Sequence, residues 1–212
     1  MQPIYLKGIR LAQYGYVHDM TNIFKAAFNP AVMCQVKGLV DIYWDYFGNK
    51  PKGYFVEVGA FNCFNWSNTL VLADMGWEGL YIEPLPKHML ECVSRFKDNP
   101  RIQLYEAAIG NRTGQTRLYI GGSLTTTKLD TVRAYSDISW SSFVDIDEDV
   151  FIHCKLRTLN YTLNKFNVPV GFDVLVIDVE GSEEDVMEGF SLDLWKPKMA
   201  IVKPMKQTAT PA

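Results

Sequence analysis

Apolar residues recur along this chain in two rhythms. Val32, Val36, Leu39, Val40, Tyr43 and Phe47 fall at helical spacing, which predicts a helix over 31–47. Turn formers at 48–53 (GNKPKG) end it. Residues 54–58 (YFVEV) form a short β-branched and aromatic run between glycines, the signature of a buried strand. A helix is expected over 67–75 with Gly76 as its C-terminal cap. A second strand follows at 79–83, stopped by Pro84, then a helix at 87–96 and a third strand at 102–106.

The rhythm then weakens. Residues 116–120 are strand-like, whereas 121–149 have little periodicity and many Ser, Thr and Asp residues, so a long loop or lid is expected there. A strand at 151–156 and a helix at 159–166 resume the alternation. Residues 172–177 (FDVLVI) make the most apolar strand of the chain. A helix follows at 182–190, with Ser182 placed to cap it and Asp185 three residues on. The last strand is 199–202. Strands separated by helices predict an α/β fold with a mostly parallel sheet covered by helices on both faces. The chain divides into a helical, aromatic-rich preamble over 1–50 and a domain over 51–212. In such sheets the ligand sits beyond the carboxyl ends of the strands, where the strand order reverses.

Composition narrows the partners. Hydrophobic residues make up 48% of the 212 and charged residues 21%, which suits a globular protein with a full core. The net charge of −3 offers no general attraction to nucleic acid or to an anionic membrane. No apolar run is long enough to span a bilayer, and the first ten residues do not form a secretory signal. Cys34, Cys63, Cys92 and Cys154 are scattered, with no C-x-x-C pair. Reduced thiols in a cytoplasmic protein are therefore expected. The preamble has two uses open to it, packing on the domain or pairing two chains into a homo-oligomer.

Three strand ends carry candidate chemistry. Gly59 stands where the first strand turns into its helix, and a residue without a side chain lets a ligand approach the backbone; Glu57 beside it could accept hydrogen bonds from a cationic amine. Glu83 ends the second strand, 24 residues past Gly59, where a carboxylate commonly binds both hydroxyls of a ribose. A nicotinamide dinucleotide needs its pyrophosphate cradled by G-x-G-x-x-G, and residues 59–64 (GAFNCF) lack two of those glycines. S-adenosylmethionine has no phosphate, so the absence favours it as cofactor. The third end is residues 177–181 (IDVEG), where Asp178 and Glu180 alternate toward one side of the cleft.

Five ordered segments resemble FkbM-type methyltransferases: residues 53–61 (GYFVEVGAF), 67–69 (SNT), 76–84 (GWEGLYIEP), 107–110 (AAIG) and 177–183 (IDVEGSE). Residues 195–198 (WKPK) fit as well, and the resemblance runs from about residue 35 to 202. It implies a Rossmann-like class I methyltransferase that moves the methyl of S-adenosylmethionine to a hydroxyl of a sugar, glycan or related natural product. By the same resemblance Glu57, Gly59 and Ala60 line the methionine end, Glu83 binds the ribose, and Ala107 with Ala108 borders the adenine. Asp178 and Glu180 match the acidic pair of the reaction centre.

The chain departs from the family pattern at Asn62, where Asp is common, at Cys63, where Gly is common, and at Lys203, where an acidic residue often closes the fifth strand. Only nine residues follow Lys203, too few for the usual closing pair of antiparallel strands, so an open sheet edge is expected. The alternative reading, a catalytically inactive methyltransferase-like interaction module, rests on that ending and on Cys63.

For the chemistry, Asp178 is the expected base, Glu180 its orienting partner or a substrate contact, and His153 a second candidate base beside the long loop. His88 is expected as a solvated residue of a surface helix. A divalent metal on the acidic pair lacks a clear third ligand and is disfavoured. Tyr135, Trp140 and Phe143 are candidates to stack on a sugar ring or to anchor the loop.

Overall fold

A computed structural model describes residues 4–6, 9–11, 34–136 and 147–203. The strands in chain order are β1 (Ile4–Leu6), β2 (Ile9–Leu11), β3 (Tyr54–Val58), β4 (Glu78–Ile82), β5 (Ile102–Tyr105), β6 (Ala108–Ile109), β7 (Gly114–Tyr119), β8 (Phe151–Arg157), β9 (Val174–Ile177) and β10 (Met199–Val202). The helices are α1 (Leu39–Phe47), α2 (Leu70–Asp74), α3 (Pro86–Phe96), α4 (Leu129–Ser136), α5 (Leu159–Lys165), α6 (Glu183–Glu188) and α7 (Leu192–Trp195).

Seven strands form the main sheet in the order β1-β2-β10-β9-β3-β4-β5. The five from β10 to β5 run parallel. From β3 the chain steps outward through β4 to β5, then returns to the other side of β3 to lay down β9 and β10. The strand order therefore reverses between β3 and β9, and a crevice opens above their carboxyl ends.

Alternation along the central strands divides two cores. Phe55, Tyr81, Val174, Val176 and Ile201 face α1, α2 and α3, where Leu39, Tyr43, Leu72 and Met89 meet them. Val56, Val58, Leu80, Ile82, Leu175 and Ile177 face the opposite way, onto Leu159 and Leu163 of α5, Val186 of α6 and Trp195 of α7. Every residue of β3 and β9 is buried, as a strand covered on both faces requires. Gly79 of β4 leaves room for the Phe55 ring, whose atoms would otherwise stand 2.2 Å from a Cβ. The fold is thus the expected Rossmann-like α/β sandwich, a mostly parallel sheet with helices on both faces.

Four expectations need correction. The edge beside β10 is occupied: β2 pairs with it in parallel at Met199 and Arg10, and β1 pairs antiparallel with β2. Segments from the start of the chain thus continue the sheet beyond β10. Residues 121–149 are not wholly loop, for a 3-10 turn (Gly122–Leu124) and α4 lie within them. This segment joins β7 to β8 in a smaller sheet ordered β6-β8-β7. Ser182 takes the N-cap position of α6 without a side-chain capping bond, because its Oγ lies 2.7 Å from Thr127 Oγ1 instead. The thiols are not all reduced: Cys63 and Cys92 form a disulfide, while Cys34 and Cys154 are free. Sequence spacing had hidden that pair, since residues 29 apart meet only when α3 folds back over the turn after β3.

Among the described residues, no helix is long and apolar enough to cross a membrane.

Candidate functional site

A cleft lies above the carboxyl ends of β3, β4 and β9, where an open α/β sheet receives its ligand. Glu83 and Asp178, at the ends of strands on either side of β3, both border it. Gly59, Ala60, Ala107, Ala108 and Glu180 complete the expected set on its wall. Asp178 and Glu180 follow the central apolar strand β9, so a rigid element presents them.

The turn after β3 is shaped by its neighbours. Gly59 has φ +84° and donates its N–H to Ile82 O at 2.9 Å. A Cβ there would stand 1.8 Å from the carbonyl oxygen of Asp178. The missing side chain therefore makes room for the next strand's backbone rather than for a ligand. Three non-glycine residues downstream, Phe61, Cys63 and Trp66, hold positive φ values of 50°, 56° and 64°. Cys63 thus adopts the left-handed backbone that glycine takes without strain. Its disulfide to Cys92 anchors that conformation to α3, and Asn62 Oδ1 accepts the N–H groups of Phe64 and Asn65 at 3.2 and 2.8 Å.

Glu57 borders the cleft, but its carboxylate faces the α2 side of the sheet and is only 2% exposed. It accepts from Ser67 Oγ at 2.7 Å, Thr69 Oγ1 at 2.7 Å and the Asn68 N–H at 2.8 Å. Burial pushes its carboxyl above the usual range, against the pull of those donors. In this structure Glu57 is the post that ties residues 67–69 to β3, rather than an open amine acceptor.

Glu83 is 5% exposed and uses each oxygen once: Oε2 accepts the Phe61 N–H and Oε1 the Leu85 N–H, both at 2.9 Å. One lone pair remains on each oxygen for a diol. His88 Nδ1 lies 3.8 Å from Oε1, and its ring meets Phe61 edge-on at 4.2 Å. The expectation that His88 is solvated fails: it is 6% exposed and lines the cleft, because α3 turns that face inward.

The acidic pair carries the strongest electrostatics. Lys203 Nζ stands 3.0 Å from Asp178 Oδ1 and 2.8 Å from Glu180 Oε1. Its contact with Oδ1 is off the axis of a hydrogen bond; Oδ2 takes the bond at 3.3 Å, and Oδ1 has no aligned donor. Gln35, with its amide turned to donate to Asp178 Oδ2, accepts from Lys203 Nζ at 2.9 Å. Burial pushes the Asp178 carboxyl up to about 7, with Lys203 pulling it down and Glu180 and Glu183 pushing it up. The turn itself is held by Glu183, whose carboxylate accepts from the N–H groups of Val179 at 3.2 Å and Gly181 at 3.1 Å. Glu180 adopts φ +49°, a backbone few residues other than glycine hold, and Thr126 Oγ1 donates to its carbonyl at 2.7 Å.

His153 is corrected. It sits exposed on β8, its ring 5.6 Å from Phe151, and does not line the cleft. Strand alternation turns its side chain outward. Trp140 and Phe143 lie outside the described residues, as does the Tyr135 side chain. Trp66 lines the cleft and is 53% exposed. Gln35, His88, Trp66 and Thr126 carried no motif, and only the Ser/Thr content of 121–149 hinted at the last. Among the described residues, no group of three His, Cys, Asp or Glu side chains could hold a metal ion.

The small side chains of Ala60, Ala107 and Ala108 line the cleft together with Glu83, and Asp178 and Glu180 form its acidic wall. The family model of the methyltransferase FkbM domain matches residues 47–208. Comparison with curated proteins and with solved structures found no match.

Proposed function

The chain belongs to the FkbM methyltransferase family, and from that premise we propose that it is an S-adenosylmethionine-dependent O-methyltransferase acting on a hydroxyl of a sugar, glycan or related natural product. One observation carries this reading: Glu83 and Asp178, from strands on either side of β3, border a single cleft. When bound, S-adenosylmethionine supplies a methyl group on a positively charged sulfur. Glu83 would hold the ribose hydroxyls, Ala107 and Ala108 would border the adenine, and Gly59 with Ala60 would flank the methionine part.

The chain's own residues then have three tasks. The first is alignment, for which a fixed geometry is worth an effective molarity of about 10⁵–10⁸ M. The rigid turn after β3 and the Glu183-held turn after β9 supply it. The second is proton removal: Asp178 accepts the acceptor's hydroxyl proton, a service worth roughly 10²–10⁴-fold. Its carboxyl, raised toward neutrality, suits that exchange. The third is reception of the acceptor. Trp66 offers an exposed aromatic side chain to the cleft, which Ser123 and Thr125 also line.

Thermal shift with S-adenosylmethionine, its demethylated product and NAD tests the reading. The first two should raise Tm, a ligand at 100-fold its Kd adding about 2.7 kcal/mol, and NAD should not. No shift with either adenosyl ligand would favour the interaction module instead.

A further inference from the structure

Lys203 occupies a position from which a surface lysine gains nothing by accident. It is the first residue after β10, its backbone N–H bonds Ile177 O at 3.0 Å, and that bond continues the parallel ladder one step beyond the strands. The ladder sets its Cα beside Asp178, and its side chain then reaches both carboxylates of the turn. The Lys203 side chain is 24% exposed and that of Glu180 13%, so the contact is largely shielded from solvent. The charged groups facing Asp178 are Lys203 from the end of β10 and Glu180 and Glu183 from the turn and first helical residue after β9. Gln35, before α1, is the neutral member.

Two carboxylates this close in a shielded site do not both ionise unless a cation joins them. Lys203 is that cation. With Asp178 ionised, the Asp178–Glu180–Lys203 group carries one net negative charge. Balance across the proposed reaction gives this value a meaning. Before transfer, a charge of −1 faces the positive sulfur of the methyl donor. The acceptor oxygen forms its bond to the methyl carbon, the carbon–sulfur bond breaks with its electron pair staying on sulfur, and the hydroxyl proton passes to Asp178. The group is then neutral beside a neutral thioether.

We propose that Lys203 is a positioning residue of the reaction centre, holding Asp178 and Glu180 as an ionised pair of single net charge with Asp178 turned to the cleft. The role rests on the methyl-transfer reading, while its electrostatic core is measurable without any acceptor. Carbon-13 NMR of the full chain labelled at aspartate carboxyls follows Asp178 through pH, the signal being assigned by its loss in Asp178→Asn.

Lys203→Met should raise the proton affinity of Asp178 at least about tenfold, one pH unit in midpoint. Lys203→Arg should keep the midpoint within a few tenths. Because the methionine variant removes the cation that two carboxylates share, the same substitution is also made in the Glu180→Gln background, where the same upward direction is expected relative to Glu180→Gln alone. An unchanged Asp178 midpoint in either background overturns the proposal. Calorimetry with S-adenosylmethionine on the wild type is read separately: absence of binding there sinks the methyl-transfer role, whatever the titration shows.

Discussion

The space that a side chain would occupy at Gly59 is filled by the carbonyl oxygen of Asp178, 1.8 Å from where a Cβ would stand. One residue ends β3, the other follows β9, and the absence of a methyl group on the first fixes the approach of the second. Gly59→Ala should therefore cost more than about 2 kcal/mol, since φ +84° adds strain to the clash. Urea denaturation measures it; a loss below half a kcal/mol would mean that the two strand ends separate freely.

Glu83→Ala should weaken S-adenosylmethionine binding by roughly 10–150-fold, from lost charged hydrogen bonds worth about 1.5–3 kcal/mol. The variant also frees the N–H groups of Phe61 and Leu85. Glu83→Gln, which keeps one acceptor, should lie between it and the wild type. Calorimetry decides, and unchanged affinity in both variants removes Glu83 from the site.

Asp178→Asn should bind the cofactor and lose about 10²–10⁴-fold in turnover, measured with any acceptor that the wild type methylates. Near-normal turnover rejects Asp178 as the base. Its charged form takes the proton, so wild-type turnover should rise with pH and level off above about 7. A rate that is flat through that region assigns the proton to another group.

Reduction of Cys63–Cys92 should destabilise the domain by about 2–4 kcal/mol and loosen the turn that carries Phe61. Thermal denaturation with and without reductant reads the loss. Alkylation of the unfolded, unreduced chain should label two cysteines, Cys34 and Cys154; labelling of four means that the bond does not form.

Much of this architecture was legible in the residues. Residues 54–58 and 172–177 are apolar except for Glu57 and Asp173, because both faces of a central parallel strand are covered, and so dense a run does not read as a solvated edge. Glu83 and Asp178 were legible too, as the first polar residues after such runs stand where a sheet of this kind meets its ligand. Residues 121–149 were only half legible, since α4 is short and its apolar positions too few to set a period.

Chain order and local pattern thus determined the five parallel strands β3, β4, β5, β9 and β10 and the carboxylates at their ends, though not β1, β2 or β6, because those five follow from spacing along a few residues. Tertiary structure alone decided which of those groups are free for chemistry. Glu57 is consumed by residues 67–69, His88 is drawn inward, His153 is turned out, Cys63 finds Cys92, and Lys203 settles between Asp178 and Glu180. Each of these depends on two segments distant in sequence meeting in space, and no local pattern encodes where a partner strand or helix will lie.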